Sequence, residues 1–411
     1  MELLKKLIDW IDYRFPIVDT VKEHVTEYYA PKNFNFWYFF GSLALVALVI
    51  MIASGIFLAM SYKPDAQLAF GAVEYIMRDV QGGWLLRYIH STGASMFFVV
   101  VYLHIFRGMM YGSYQKPREL LWVIGCVIYL MLMAEGFMGY LLPWGQMSFW
   151  GAQVITNLFA TIPFIGPDLS VLIRGDFVIS EATLNRFFAL HIAAIPLILV
   201  GIIFVHIVAL HRVGSNNPDG VEIKKHKGAD GHPLDGIPFH PYYTAKDAMG
   251  VVGFLFVFCA VLFFAPDMGG YFLEDNNFVP ANPMKTPEHI APVWYFTPYY
   301  AILRAVPPMF GSQFPGVVAM GIGNVIFFFL PWLDRGKVKS IRYRGPIYKV
   351  FLTLFVISFL GLGWLGTLPA TPVYTWIARV LSIVYFAFFL LMPWYTKIDK
   401  NKHEPSRVTF H

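Results

Sequence analysis

Four histidines lie at matched spacing in two strongly apolar stretches of the chain. His90 and His104 are 14 residues apart in RYIHSTGASMFFVVVYLHIFRG, and His191 and His206 are 15 apart in HIAAIPLILVGIIFVH. On helices the members of each pair share a face, within about 40° and about 60° of each other, and His90 and His104 lie roughly 21 Å apart along the axis. Antiparallel packing of the two helices would therefore bring His90 to His191 at one depth and His104 to His206 at another.

Paired imidazoles at two depths of a helix bundle can hold metal centres. A single histidine in a membrane helix is more often a hydrogen-bonded bundle residue or a member of a proton relay. Four at matched spacing are harder to explain in that way, because burying a polar ring is costly unless it has a partner. Axial ligation of haem iron supplies that partner. The spacing therefore predicts two haems, each held by one histidine from each helix.

Arginines and glycines near the histidines are consistent with this prediction. Arg87 precedes His90 by three residues and Arg107 follows His104 by three, so each arginine is one turn nearer its own interface, where it can meet a haem propionate. The alternative for either arginine is a long side chain that snorkels to the interface. A flat ring between helices also needs missing side chains where it meets the backbone, although close helix packing uses glycine pairs too. Such glycines recur 14 residues apart, as Gly41 with Gly55 and as Gly125 with Gly139.

The elements that must position these residues are membrane spans. Of 411 residues, 57% are hydrophobic and 14% are charged, which excludes an ordinary soluble enzyme. About 20 apolar residues cross the hydrocarbon core, and eight stretches qualify. We predict an all-α integral membrane protein in which a di-haem four-helix bundle is followed by four further spans. The spans are centred near Val46, Val99, Leu130, Leu199, Phe256, Phe327, Ile357 and Phe386.

The charge distribution predicts the orientation of the spans. Most of the 31 lysines and arginines lie in loops on the N-terminal side, so the positive-inside rule places both termini in the cytoplasm. The net charge of +5 then reflects topology and contact with anionic membrane lipids, and nucleic-acid binding is not expected. The amphipathic start, MELLKKLIDWIDYRFPIVD, is interpreted as an interfacial helix.

The connecting segments predict how the chain is divided. A polar, turn-rich link, GSNNPDGVEIKKHKGADGHPLDG, separates a front domain, residues 1–215, from a back domain, residues 216–411. Two long loops on the outer side, at about 141–184 and 267–316, are rich in Pro, Gly and aromatic residues. We expect a short surface helix at QMSFWGAQVITNLFA in the first of them.

Four motifs resemble those of cytochrome b, the membrane core of the quinol:cytochrome c oxidoreductases. They are GYLLPWGQMSFWGAQVITN (139–157), HRVGSNNPDG (211–220), FHPYYTAKD (239–247) and PVWYFTPYYAILR (292–304), and the resemblance extends over nearly the whole chain. It implies a low-potential haem b at His90 and His191 on the outer side. It also implies a high-potential haem b at His104 and His206 on the inner side.

The resemblance further implies two quinone sites. The outer, quinol-oxidising site would use Tyr140 and Tyr295 in catalysis. Its pocket would include Phe137, Trp150, Gly151, Val154, Pro292 and Trp294. The inner, quinone-reducing site would be formed by Ser42, His211, Ser215, Lys246 and Asp247. From the residues alone, a solvated helix start is the simpler reading of Lys246 and Asp247.

The implied activity belongs to a complex, with this chain as one subunit. Quinol at the outer pocket would give one electron to a mobile Rieske iron–sulfur protein and the other to the outer haem. The second electron would pass to the inner haem and reduce quinone, which generates protonmotive force. A cytochrome c subunit, dimerisation of the complex and a bacterial plasma membrane are also expected. The residues leave open whether the quinone is menaquinone or ubiquinone.

Two positions depart from the family pattern. The family's PEWY is PVWY here, so Val293 stands where a glutamate is usually proposed to accept a quinol proton. We predict that Glu135 or Glu288 takes over that role, because carboxylates within spans are functional candidates; alternatively, Glu135 pairs with a hydroxyl or stays protonated. Phe39 stands where chloroplast-type relatives carry a haem-attaching cysteine, so a covalent third haem is not expected.

Two other classes of membrane protein compete with this interpretation. A di-haem membrane anchor of another quinone-linked dehydrogenase also pairs histidines in spans, but it would not need eight spans or the PWGQMSFW loop. A haem-free transporter with histidine proton relays would not need matched spacing on two helices. A reduced-minus-oxidised spectrum separates the transporter from the other two classes.

Overall fold

The computed structural model describes residues 2–16, 18, 27–309 and 311–409. Within this part of the chain, eight helices are long and apolar enough to cross a membrane, and each contains one of the predicted centres. The predicted all-α fold with eight spans is confirmed. In chain order, the first to eighth spans are Phe36–Ala59, Gly83–Met110, Glu119–Leu141, Glu181–Val213, Phe239–Phe264, Phe314–Leu333, Pro346–Gly366 and Pro372–Leu390.

Shorter elements connect the spans. The surface helix Gln146–Ala160 coincides with the predicted stretch QMSFWGAQVITNLFA. The amphipathic helix Glu2–Asp12 forms as expected, and its apolar side chains are exposed, while residues 1, 17 and 19 of the predicted stretch lie outside the described residues. The other helices outside the spans are Ala69–Arg78, Gly166–Arg174, Thr297–Ala305 and Met392–Ile398, with 3₁₀ turns at Ile223–Lys225, Asp275–Phe278 and Trp294–Phe296.

The fourth span contains an irregular turn at the first histidine of its pair. It is α-helical over Glu181–Ala189 and Ile195–Val213, with a π turn at Leu190–Ala194. Pro196 lacks an N–H, so the helix cannot form its regular hydrogen bond to the carbonyl of Ile192. A π turn takes up one extra residue. The 15-residue spacing of His191 and His206 therefore places the two rings in register about as a 14-residue spacing would.

The two predicted domains share one core. A single cluster of buried side chains contains residues from both, such as Phe98 and Tyr295, whose rings stack at 3.8 Å. The Tyr102 hydroxyl donates to the Tyr295 carbonyl at 2.5 Å. Spans on both sides of the link therefore pack against one another, and the division at residue 215 stays a prediction.

Polar contacts gather the link, the segment just before the first span and the C-terminal segment on one face, called here the terminal side; the opposite face is the far side. Strand β1 (Tyr29–Pro31) pairs antiparallel with strand β2 (Gly236–Pro238). Asp235, just before β2, is 1% exposed and accepts from Arg407 at 2.6 and 3.0 Å. Burial raises the pKa of Asp235, but hydrogen bonds from Arg407 and Lys32 outweigh it and lower the pKa to about 2.

Candidate haem and quinone sites

His90 and His191 meet near the far side with the spacing of two ligands on one metal. Their ring centroids are 6.1 Å apart and the ring planes are nearly perpendicular, at 85°. An imidazole nitrogen binds a metal at about 2 Å, so two rings on opposite sides of one ion have centroids about 6 Å apart. The second and fourth spans thus hold the two rings at the separation expected for two ligands of one metal.

Hydrogen bonds orient both of these rings. Nδ1 of His191 lies 3.1 Å from the Glu135 carbonyl oxygen, which can only accept, so Nδ1 carries the proton. Nδ1 of His90 lies 2.9 Å from Oγ of Ser54, whose own proton is donated to the Ile50 carbonyl at 2.7 Å. Each Nε2 is then left with a free lone pair, which is the tautomer that metal ligation requires.

The predicted glycines lie directly against the four histidines. A Cβ on Gly55 would lie 3.1 Å from Cε1 of His90, and one on Gly139 would overlap the His191 ring. Gly41 and Gly125 stand in the same relation to His104 and His206, at 3.3 Å in each case. A side chain at these positions would push on the imidazole itself, so the glycines make room for the rings as well as for a bound group.

The second histidine pair lies near the terminal side beside a half-buried arginine. His104 and His206 are close enough to interact electrostatically. Nη2 of Arg107 lies 3.4 Å from Nδ1 of His104, and Nη1 donates to Ser113 Oγ at 3.3 Å. Nε of Arg107 is buried without a hydrogen-bond partner, and Arg107 forms no ion pair with any described residue. A buried guanidinium is stable when an anion pairs with it, so the site suits a carboxylate such as a haem propionate.

Arg87 stands near the far-side histidine pair. It is half-buried and interacts electrostatically with His90. Both arginines therefore lie where the sequence predicts them relative to the histidines. That they bind propionates stays a prediction.

The predicted quinol-oxidising residues lie on the far side, in the third span, the helix Gln146–Ala160 and the segment 292–295. Gly151 is open toward Tyr140, since a Cβ there would lie 3.8 Å from the Tyr140 ring. Tyr295 stacks on Phe98 and contacts the third span at Gly136. Trp294 packs against Tyr295, and Pro292 leads into the Trp294–Phe296 turn. Val154 lies one turn beyond Gly151. A neighbouring apolar cluster contains Phe137 and Trp150.

The far-side acids occupy three different environments. Oε1 of Glu135 lies 2.9 Å from Nδ1 of His191, so this carboxyl is placed behind a histidine. Glu288 is exposed at the surface. Glu274, which the sequence reasoning missed, is half-buried, and its Oε2 accepts from the Tyr140 hydroxyl at 2.5 Å. Val293 is 2% exposed and carries no proton-accepting group.

The predicted quinone-reducing residues lie on the terminal side in two neighbouring groups. Asp247 and Lys246 line a cavity of about 60 Å³, with Ser42 beside Asp247. His211 and Ser215 meet through Tyr28, whose ring lies 4.4 Å from the His211 ring and whose hydroxyl lies 2.8 Å from Ser215 Oγ. The groups are joined by one aromatic residue, because Phe239 lines the cavity and also contacts Tyr28. The other residues that line the cavity are Phe34, Asn35, Tyr38, Phe39 and Tyr243.

Comparison with known proteins decides the family. A family model described as "Cytochrome b/b6/petB" matches residues 25–214, and one described as "Cytochrome b(C-terminal)/b6/petD" matches residues 280–386. The chain is 65% identical over 406 residues to a cytochrome b of Allochromatium vinosum, with 98% of each chain covered. The chain belongs to the cytochrome b family.

Other relatives agree with this assignment. A cytochrome b of Rhodospirillum rubrum is 52% identical over 396 residues, with 95% of this chain and 94% of the relative covered. A solved structure titled "Hyperthermophilic respiratory Complex III" superposes with a TM-score of 0.87 at 39% identity, covering 95% of this chain and 99% of the other. The resemblance seen in the motifs is confirmed, and the chain is a multi-pass membrane protein of electron transport.

Three residues at the cytochrome b sites were not found from the sequence. Ser54 immediately precedes Gly55, so its place beside His90 follows from the glycine spacing once the helix is known. Tyr28 lies before the first span with no motif to mark it. Glu274 is an acid among apolar residues in YFLEDNNF, which was the available signal, but its contact with Tyr140 joins residues 134 apart and depends on the folded loop.

Proposed function

We propose that this cytochrome b is the membrane subunit of a quinol:cytochrome c oxidoreductase of the respiratory complex III type. It oxidises quinol in the far-side pocket around Tyr140 and Tyr295 and reduces quinone in the terminal-side cavity at Lys246 and Asp247. The single observation that carries the proposal is the close approach of the His90 and His191 imidazoles, with centroids 6.1 Å apart and both Nδ1 atoms engaged.

The chain's own residues would bind two haems b. His90 with His191 and His104 with His206 would hold the irons, and Arg87 and Arg107 would pair with propionates. When bound, the haems supply the one-electron path between the two quinone sites across the membrane. The positive-inside rule makes the terminal side cytoplasmic, and a bacterial plasma membrane is the proposed location.

The two quinone sites divide the proton chemistry. Lys246 and Asp247 border the terminal-side cavity and can give protons to a quinone that is being reduced. On the far side, Tyr140 and Tyr295 form aromatic walls that hold the quinol and keep water out. The proposed substrate is menaquinol or ubiquinol. The proposed partners are a Rieske iron–sulfur protein and a cytochrome c subunit, in a dimeric complex.

The test is the activity and spectrum of the complex purified with its partner subunits. We expect two low-spin b-type bands in the reduced-minus-oxidised spectrum and cytochrome c reduction that depends on added quinol. Two bands without cytochrome c reduction would favour the di-haem anchor of another quinone-linked dehydrogenase. A colourless protein would contradict both.

A further inference from the structure

We propose that Glu274 is the group that accepts a proton from the quinol hydroxyl in the far-side pocket. The proposal rests on the proposed function, because it assigns a role within the quinol-oxidising reaction. The proton-accepting carboxyl would then belong to Glu274, in the loop between the fifth and sixth spans. The family usually has a glutamate for this role at the position of Val293.

The carboxyl of Glu274 lies beside the tyrosines of the proposed quinol site. Its Oε2 accepts from the Tyr140 hydroxyl at 2.5 Å, and it also interacts electrostatically with Tyr295. These are the two tyrosines that the family resemblance assigns to quinol oxidation. Phe272, two residues earlier, stacks on Trp294 at 6.2 Å between ring centroids. The carboxyl therefore lies among the side chains that would surround a quinol head group.

Several hydrogen bonds hold the Glu274 loop in this position. Asn277 Oδ1 accepts from the Ser148 N–H at 2.8 Å. The Val279 carbonyl accepts from the Gln146 N–H at 2.9 Å, and Gln146 Oε1 accepts from the Asn282 N–H at 2.7 Å. The loop is thus fixed to the start of the helix Gln146–Ala160, which contributes to the same pocket. Such fixation favours a positioned proton acceptor over a mobile surface acid.

The other far-side acids are less well placed for this role. Both Oε1 and the carbonyl oxygen of Glu135 lie within hydrogen-bonding distance of Nδ1 of His191, so Glu135 contacts a histidine of the far-side pair. Glu288 is exposed and has no contact with Tyr140 or Tyr295 among the described residues. Only Glu274, of these three, touches a tyrosine of the pocket.

The acid–base properties of Glu274 suit proton acceptance near neutral pH. Burial raises the pKa of its carboxyl to about 7, against the lowering effects of the Tyr140 hydroxyl and of its own backbone N–H. The titratable groups that face it are the phenols of Tyr140 and Tyr295, and no described lysine, arginine or histidine contributes to the shift. A base with a pKa near the working pH is the most effective proton acceptor.

The O–H bond of one quinol hydroxyl breaks and an O–H bond forms on the Glu274 carboxylate. The quinol's two electrons go to the one-electron acceptors of the proposed complex, an iron–sulfur protein and a b haem, and the proton of its second hydroxyl leaves to the iron–sulfur protein. The proton then passes from Glu274 to water, since the following residues Asp275 and Asn276 are exposed at the far-side surface.

The experiment compares Glu274→Gln with Asp275→Asn in the assembled complex. Both changes remove one carboxylate from the same loop, but Asp275 is exposed and outside the pocket. We expect quinol-dependent cytochrome c reduction to fall about 100-fold in E274Q at a pH above about 7, which is the size of a typical general-base contribution. In the parent and D275N, the rate should rise with pH through about 7 as Glu274 deprotonates, and this rise should be absent in E274Q.

The outcomes separate this proposal from the proposed function. Parental rate and an unchanged pH profile in E274Q would overturn the role of Glu274 while leaving the proposed function in place. A parent complex that does not oxidise quinol would instead contradict the proposed function. If E274Q does not assemble with its haems, the pH profile of Glu274→Asp decides. A rise in rate that occurs at a different pH from that of the parent supports the proposal, and a rise at the same pH overturns it.

Discussion

At the scale of single residues, the histidine sites depend on groups that the haem would not touch. Ser54 and the Glu135 carbonyl accept from the Nδ1 atoms of His90 and His191 and so fix the tautomer of each ring. Partners of this kind commonly change the affinity of a metal site by about 10- to 100-fold. The ligands alone are therefore an incomplete description of the far-side pair.

Ser54→Ala should weaken one haem site and spare the other. Without the serine, Nδ1 of His90 loses its acceptor, and we expect about tenfold weaker retention of the far-side haem. The measurement is the amount of each b band after detergent purification. Ser358→Ala is the matched control, because Ser358 is equally buried and donates only to its own helix. Equal loss of both b bands in S54A, or no loss of either band, would contradict the role of Ser54 in fixing the tautomer of His90.

Gly139→Ala should disrupt the far-side pair more severely. A Cβ at Gly139 overlaps the His191 ring, whereas one at Gly201, in the same bundle, meets nothing within 4 Å. We expect G139A to lose the far-side b band, while Gly201→Ala retains both. Reduced-minus-oxidised spectra of the two variants make the comparison. A G139A complex with both bands at parental intensity would show that the ring can move aside without cost.

At the scale of elements, hydrophobic patterning was sufficient to predict the spans but not their irregular turns. All eight spans and the surface helix Gln146–Ala160 follow from runs of apolar residues. The π turn at Leu190–Ala194 was missed, although Pro196 marks it, because its effect is a shift of one residue within a continuous apolar run. The link is polar in sequence, and its fixed position comes from ion pairs with distant segments that no local pattern encodes.

The ion pair between Arg118 and Glu222 should stabilise the link against the spans. Arg118 is 2% exposed and donates to both carboxylate oxygens of Glu222, at 2.6 and 2.9 Å. Burial alone raises the pKa of Glu222, but hydrogen bonds and charge from Arg118 and Lys339 outweigh it and lower the pKa.

Arg118→Met should lower the free energy of unfolding by about 3 kcal/mol, because it leaves the carboxylate of Glu222 poorly compensated. Thermal unfolding of the purified complex measures the effect. The control is Arg78→Ala, which breaks an exposed pair with Glu74 and should cost less than about 1 kcal/mol. The stabilisation should weaken as the pH falls through the lowered pKa of Glu222. Similar losses in both variants would contradict the assigned role of the buried pair.

At the scale of the whole molecule, the sites are built from segments that are far apart in the chain. The proposed far-side quinol site joins the third span to the loop after the fifth, through the hydrogen bond between Tyr140 and Glu274. The terminal-side cavity joins the start of the first span to the start of the fifth, through Phe39 and Asp247. The approach of the histidine pairs could be predicted because periodicity on two helices defines it, whereas the place of Glu274 could not, because its partner is set by loop packing.

The central claim is that two imidazole pairs each hold one haem at different depths of the membrane. Its most direct test is the number of b haems per polypeptide in the purified complex, in the parent and in His104→Leu, with His226→Leu as a control at an exposed histidine. We expect two haems per polypeptide in the parent and in H226L, and one in H104L with the far-side band retained. A parent with one haem or none, or an H104L complex that keeps two, would contradict it.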